Sequence, residues 1–258
     1  MSLIVMACYD TKENGRSEFT EKTLESLLHT VDFDKHEAII VNNVSCERTY
    51  QLIESFVYRA GENVQAIHLP ENQGTAKAIN LGWSRRKAGQ HCVKIDNDVV
   101  IHSRGWVDEM EEAIRREPKI GIIGLKRKDL MECTTFPDPN FRSVLIQLPH
   151  VAGERWIIIE AARGIMGTCK MVNSALLDTI GYLYQPTVYG WDDSLYSCRS
   201  ELAGFINCFL PHIEIDHIDP GGTDYTKWKQ DHAGETISIA QQLKNEYLNG
   251  IRPIYEQP

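Results

Sequence analysis

No stretch of this 258-residue sequence approaches the roughly 20 apolar residues that a membrane span requires. The longest apolar runs, Leu3–Cys8 and Trp156–Ile159, have the length of strands. The N-terminal residues lack the basic region and long apolar core of a secretory signal, so a cytoplasmic address is expected. Cys-x-x-Cys pairs are missing too. The seven cysteines stand at 8, 46, 92, 133, 169, 198 and 208, an odd number at wide spacing, which excludes a disulfide framework and a zinc ribbon. Most lie in or beside apolar runs and read as small core residues. An excess of positive charge is also lacking. The net charge is −9, which argues against a chain whose main work is to grip phosphate backbones. The basic runs Arg85-Arg86-Lys87 and Lys126-Arg127-Lys128 are short and read as solvated faces. With no internal repeat, low-complexity tract or clear linker, residues 1–258 are expected to form a single domain.

What is present is a repeated strand–helix rhythm. Leu3–Tyr9 reads as a strand, and Phe19, Thr23, Leu24, Leu27 and Leu28 then recur at helical spacing. Ala38–Val41 is a second strand, followed by a helical stripe at Leu52, Ile53, Phe56, Val57 and Ala60. Val64–Leu69 is a third strand, followed by a helix through Ala76, Ile79 and Trp83. Cys92–Ile95 is a fourth strand and runs into Asp96-Asn97-Asp98. This order predicts an α/β fold with a mostly parallel central sheet flanked by helices. Such folds place ligands beyond the carboxyl ends of their strands, where Tyr9-Asp10, Asn42-Asn43 and Asp96–Asp98 should converge. The second half is less regular. A helix at Trp106–Ile114 and a strand at Ile120–Leu125 lead to a long loop over 126–150, marked by Pro137, Pro139 and Pro149. Strands are expected at Trp156–Glu160, Phe205–Leu210 and Ile213–Ile215. Helices are expected at Leu176–Ile180, Asp192–Ala203 and Glu235–Leu248.

Four constellations carry candidate chemistry. Asp96-Asn97-Asp98 follows an apolar strand, and two carboxylates one residue apart suit Mg²⁺ or Mn²⁺, which prefers oxygen ligands and keeps places for substrate phosphates. Glu71–Gly82 opens a helix after the third strand. Capping by Asn72 or Thr75 accounts for its start, but Asn80 and Gly82 are unfavourable inside a helix and need another reason. Asp192-Asp193 opens a predicted helix, either as dipole-stabilising acids or with one carboxylate as a base at an acceptor hydroxyl. His217, near a strand end, is a candidate third metal ligand, with His212 as an alternative.

Taken in this order, these segments resemble the family 2-like glycosyltransferases of the GT-A fold, the nucleotide-diphospho-sugar transferase fold. Ile39–Thr49 is similar to the family's nucleotide-recognition segment, with Asn42 where the family has Asp. Glu71–Gly82 resembles its Asn-x-Gly…Asn-x-Gly segment. Asp96-Asn97-Asp98 matches its metal-binding Asp-x-Asp, Arg163–Gly167 its acceptor-side Gly-rich segment, and Trp191-Asp192-Asp193…Arg199…Gly204 its Glu-Asp…Arg…Gly segment. The resemblance covers about residues 3–220. It implies a nucleotide-binding half over 1–100, an acceptor-binding half over 101–220 and a C-terminal lid and helix over 221–258. It further implies that Tyr9, Asp10, Asn42, Asn72, Gly74, Lys77, Asn80, Asp96 and Asn97 bind the donor, a nucleotide-diphosphate sugar of which the UDP type is favoured. Asp96, Asp98 and His217 would hold the metal. Asp193, with Asp192, would serve the acceptor hydroxyl, as general base if the reaction inverts configuration. Gly221–Lys229 would close as a lid, with Lys227 or Lys229 near phosphate. The acceptor is open, a modified nucleobase included.

Two other readings compete. A nucleotidyltransferase shares the sheet and the need for metal and phosphate, but carries a Gly-rich basic loop after its first strand. Tyr9–Gly15 has one glycine and no such pattern. A catalytically silent sugar- or partner-binding module would keep the scaffold without turnover.

Overall fold

The computed structural model describes residues 1–128 and 144–258. The expected loop prolines Pro137 and Pro139, and Cys133, lie outside the described residues. Strands β1 (Leu3–Cys8), β2 (Glu37–Asn42), β3 (Val64–His68) and β4 (Cys92–Ile95) alternate with helices α1 (Ser17–Thr30), α2 (Glu47–Ala60) and α3 (Thr75–Trp83). The next elements are β5 (Val99–Ile101), α4 (Trp106–Arg116), β6 (Ile120–Arg127), β7 (Val144–Gln147), β8 (Ile158–Ala161) and β9 (Cys169–Val172). Then come α5 (Ser174–Ile180), α6 (Asp192–Leu202), β10 (Ile206–His217) and α7 (Asp224–Leu248).

Among the described residues all ten strands join one sheet, in the order β3-β2-β1-β4-β9-β6-β10-β8-β7, with β5 paired to β10. The first four strands are parallel, as the strand–helix rhythm requires. From β9 onward the sheet is mixed, because β9, β8 and β7 enter antiparallel. Core side chains fill both faces. Met6, Ile40, Val93 and Ile95 point to the face covered by α1, α2 and α4, whereas Val5, Val41 and Cys92 point to the face covered by α3, α5 and α6. This alternation is the two-residue period of a strand buried on both sides.

Several expectations change. Residues 144–147, expected as loop, form the edge strand β7 on β8. The two short strands expected near 205–215 are one twelve-residue strand, β10, whose register with β6 shifts between Leu210 and Glu214. Pro211 lies within that shift, and a residue without an N–H is tolerated where ladder bonding is interrupted. The last helix starts eleven residues earlier than expected, at Asp224, because the Thr223 hydroxyl caps it by accepting from the Thr226 N–H at 3.1 Å. The expected lid over Gly221–Lys229 is therefore mostly helix.

The helix-disfavouring pair Asn80 and Gly82 has a tertiary explanation. Asn80 is buried and exchanges two hydrogen bonds with the backbone of Leu183, at 2.9 and 3.0 Å. A Cβ on Gly82 would lie 2.4 Å from a methyl of Val5, so only glycine lets α3 sit this close to β1. Five of the six described cysteines are buried, as composition led one to expect, and Cys46 at the start of α2 is half-buried. No helix among the described residues is long and apolar enough to cross a membrane.

Candidate active site

The carboxyl ends of β1, β2 and β4 open onto a cavity of about 320 Å³. Its wall includes Tyr9, Asn43, Asp96, Asn97 and Asp98 from the strand ends. Tyr189, Asp192 and Asp193 come from the approach to α6, and Tyr225 and Lys229 from α7. A second lobe of about 390 Å³ shares Tyr9, Asn43, Thr75, Tyr189 and Tyr225, and adds Asn72, Gly74, Val188 and Trp228. The first lobe is dense in charge, whereas the lining of the second has no charged side chain. A larger open hollow of about 790 Å³ lies between α1 and β5, away from these strand ends. Its Glu21, Glu25 and Arg48 are spent on surface ion pairs.

The sheet register explains the charged lobe. Lys94 on β4 and Lys170 on β9 are direct cross-strand partners, side by side on one face, 3% and 0% exposed. Two like charges placed opposite one another in a sheet repel, and buried ones need counter-ions. Asp193 supplies the first: Lys170 Nζ donates to it at 2.5 Å and Lys94 Nζ at 3.1 Å. Lys94 also reaches Asp192 at 3.3 Å and Asp96 at 3.7 Å. Burial works to raise the Asp193 pKa, but Lys170 first and Lys94 next outweigh it, and the carboxyl falls to about 2. Asp192 moves the other way, raised by burial and by the charge of Asp193. Lys94 would lose its proton on burial, but Asp192, Asp193 and Asp96 hold it charged. Asp96 is raised to about 6, chiefly by burial. Gly167 leaves room for this cluster, since a Cβ there would lie 2.0 Å from Asp193 Oδ2.

Beside it, Asp98 immediately precedes β5. Because β5 pairs antiparallel with β10, Val99 stands opposite His217, and His217 Nε2 comes within 3.4 Å of Asp98 Oδ2. The register thus joins two of the three expected metal ligands. Asp96 is held apart on the Lys94 side, and among the described residues no three His, Cys, Asp or Glu side chains converge to hold an ion. One atom nevertheless fits a cation. Among the described residues Asp98 Oδ1 is buried with no hydrogen-bond partner, while Oδ2 is taken by Arg16 at 2.5 Å. Mg²⁺ and Mn²⁺ are commonly bound through one or two carboxylates plus substrate phosphates rather than by a protein cage, so the donor set here suits such an ion. Burial raises the Asp98 pKa, but His217 and Arg16 overcome it and keep the group ionised.

Other expected donor contacts sort by their placement. Tyr9, Asn72, Gly74, Asp96 and Asn97 line the two lobes. Asn42 does not. It is buried, accepting from the Ser45 N–H at 2.7 Å and lying 3.0 Å from His68, and its neighbour Asn43 faces the cavity instead. Asp10 lies beneath the wall, bonded to Thr20, Thr49 and Asn97. Asn80 is a structural link and Lys77 is exposed on α3, so neither reaches a lobe. Arg199 is buried and donates to the carbonyls of Ile180, Tyr182 and Ile254, a structural role. The residues that sequence reasoning missed are Arg16, Lys94 and Lys170; Asn43 was expected at the strand ends, though Asn42 was the one named as a donor contact. For the lysines a signal existed: a charge inside Val93-Lys94-Ile95 and inside Cys169-Lys170-Met171 is out of place in a buried strand unless partnered.

Among the described residues two non-glycine residues have positive φ: Trp191 at +68°, which lines the cavity, and Val44 at +65°, the residue after Asn43 of its wall. Both stand where a strand end or helix start turns sharply towards the site, and such conformations are costly for side chains with a Cβ.

The family model of glycosyl transferase family 2 matches residues 3–181. The chain belongs to this family. The mannosyltransferase PcManGT from Pyrobaculum calidifontis, solved with GDP-Man and Mn²⁺, superposes with a TM-score of 0.64 at 15% identity, over 88% of this chain and 59% of that one. S. aureus TarS 1-349 in complex with UDP-GlcNAc gives 0.60 at 16% identity, over 96% and 72%. GalNAc-T7 with UDP, GalNAc and Mn²⁺ gives 0.61 at 12% identity, over 84% and 43%. These likenesses establish the GT-A fold, and the family 2 chain spans about three-fifths of the mannosyltransferase. No curated protein matches the sequence.

Proposed function

We propose that this chain is a single catalytic domain that transfers a sugar from a nucleoside-diphosphate sugar to an acceptor hydroxyl, with inversion at the anomeric carbon. The observation that carries this reading is the pairing of a charged lobe with an uncharged aromatic one, sharing Tyr9, Asn43 and Tyr225. A nucleoside-diphosphate sugar has the same division, with a neutral stacking base at one end and a diphosphate next to the sugar. The second lobe offers no carboxylate to a guanine's N1–H and amino group, which favours a uracil base. Among the superposed structures two hold UDP or UDP-GlcNAc and one holds GDP-Man.

In this reading Asp98, with His217 beside it, would hold Mn²⁺ or Mg²⁺, and Asp96 would join them only by leaving Lys94. When bound, such an ion offsets the negative charge that grows on the diphosphate as its bond to the sugar breaks. Lys229 faces the same lobe from α7, and burial together with Arg16 lowers its pKa. It is placed to donate to phosphate oxygens. Asp193 is held ionised by its two lysines and orients the acceptor hydroxyl by accepting its hydrogen bond. As the acceptor oxygen attacks, its proton passes to the Asp192–Asp193 pair, on whose Asp192 half burial raises the pKa. Tyr189 and Trp191 line the cavity beside the pair.

The test is a panel of sugar nucleotides incubated with the chain and Mn²⁺. Release of nucleoside diphosphate, and its loss in Asp98→Ala, supports the reading. Release of pyrophosphate in a parallel incubation with nucleoside triphosphates and sugar 1-phosphates would assign a nucleotidyltransferase, and no turnover with any donor would sink the catalytic assignment. The anomeric configuration of the product, read by NMR, decides inversion.

A further inference from the structure

Arg16 immediately precedes α1, with its side chain 5% exposed. Its guanidinium joins two acids that the sequence separates widely. Nη2 donates to Asp98 Oδ2 at 2.5 Å and Nη1 to Asp219 Oδ2 at 2.5 Å. The Phe19 and Tyr225 rings lie 5.4 and 5.3 Å from its centre. Asp219 in turn accepts from the Gly221 N–H at 2.9 Å, in the short loop that launches α7. Three nearly buried charged groups in contact are costly to assemble, and among the described residues they leave Asp98 Oδ1 without a partner.

We propose that Arg16 is the positioning residue of a divalent-cation site. It occupies Oδ2 of Asp98 so that Oδ1 is presented to the ion, and through Asp219 it fixes the root of the helix that carries Tyr225 and Lys229. The inference rests on the reading of Asp98 as a metal ligand. A carboxylate that binds a metal is usually itself held by a hydrogen-bond donor behind it. Arginine suits this place because its planar fork serves two carboxylates at once, whereas a lysine ammonium is a point charge. Its charge does not repel the ion, because Asp98 and Asp219 together leave the trio with one net negative charge.

The experiment measures Mn²⁺ binding to the full chain by electron paramagnetic resonance of the free ion, with Mn²⁺ alone and with Mn²⁺ plus UDP. Arg16→Gln is expected to weaken Mn²⁺ binding by about 10- to 100-fold. Arg16→Lys should recover only part of that. Asp219→Asn makes the trio neutral and frees one arm of the guanidinium, so it should also weaken Mn²⁺ binding, by less than Arg16→Gln, and should speed tryptic cleavage at Lys227 and Lys229. Circular dichroism and thermal unfolding establish that each variant is folded. A folded Arg16→Gln that binds Mn²⁺ as tightly as wild type, or more tightly, overturns the assignment of Arg16 alone. Where Arg16→Gln does not fold, Arg16→Lys with unchanged affinity overturns it equally. Unchanged cleavage in Asp219→Asn removes the link to α7. Wild-type protein that binds no Mn²⁺ with or without UDP overturns the metal reading of Asp98, and this inference with it.

Discussion

Gly167→Ala tests the lysine–aspartate cluster with one added methyl. The new Cβ would stand 2.0 Å from Asp193 Oδ2 and 2.2 Å from Lys94 Nζ, where ordinary contact begins near 3.4 Å. The oxygen must therefore retreat by about 1.4 Å to reach a normal van der Waals separation. It cannot do so freely, because Lys170 and Lys94 hold the same carboxylate at 2.5 and 3.1 Å. Overpacking of this kind costs about 1–3 kcal/mol. In a domain of this size that corresponds to about 2–10 °C in Tm. A displacement of about 1 Å in a group that orients the acceptor lowers turnover by about 100-fold. The assay pairs nucleoside diphosphate release with thermal unfolding. Gly164→Ala is the control, since a Cβ at 164 meets nothing within 4 Å and its backbone is not left-handed. Wild-type rate and Tm in Gly167→Ala would refute the reasoning, as would equal damage in Gly164→Ala.

Other perturbations have distinct signs. Lys170→Met removes a fully buried counter-ion and leaves Asp193 with Lys94 alone, so unfolding by urea should show a loss of about 3–5 kcal/mol. Val44→Asn replaces an exposed β-branched residue at φ +65° by one that tolerates that conformation, and should stabilise by about 1 kcal/mol in the same measurement. The Asp193 pKa is depressed to about 2 in the folded state, so its contribution to stability is present above the unfolded carboxylate pKa near 3.9 and is lost as pH falls towards 2. Urea titrations should therefore show Asp193→Asn less stable than wild type at pH 7, with the gap closing between about pH 4 and pH 2. A constant gap across that range would show that the ion pairs do not set it.

The N-terminal half was legible because β1, β2 and β4 are buried on both faces and its helices on one. Runs such as Leu3–Cys8 and stripes such as Ile53–Phe56 therefore carry their element type in local pattern. The Asp-x-Asp at the end of β4 and the acids opening α6 were legible for the same reason, since an element's end can be read from the residues that stop it. The second half was harder. β7 and the early start of α7 depend on an edge pairing with β8 and on a single hydroxyl cap, and neither leaves a strong periodic signal.

Sequence by itself determined that the chain folds as α/β with a parallel N-terminal sheet, and that acids gather at its strand ends. The physical reason is that hydrophobic period and chain order are local properties. Only tertiary structure decided which polar side chains meet. Lys94 faces Lys170 because β9 runs antiparallel beside β4, and His217 meets Asp98 because β5 pairs with β10. Asn42 is kept from the cavity because its register partner on β3 is His68, 3.0 Å away, and Asn43, just past β2, faces the cavity instead. Such contacts are set by register between distant segments, which no local pattern encodes.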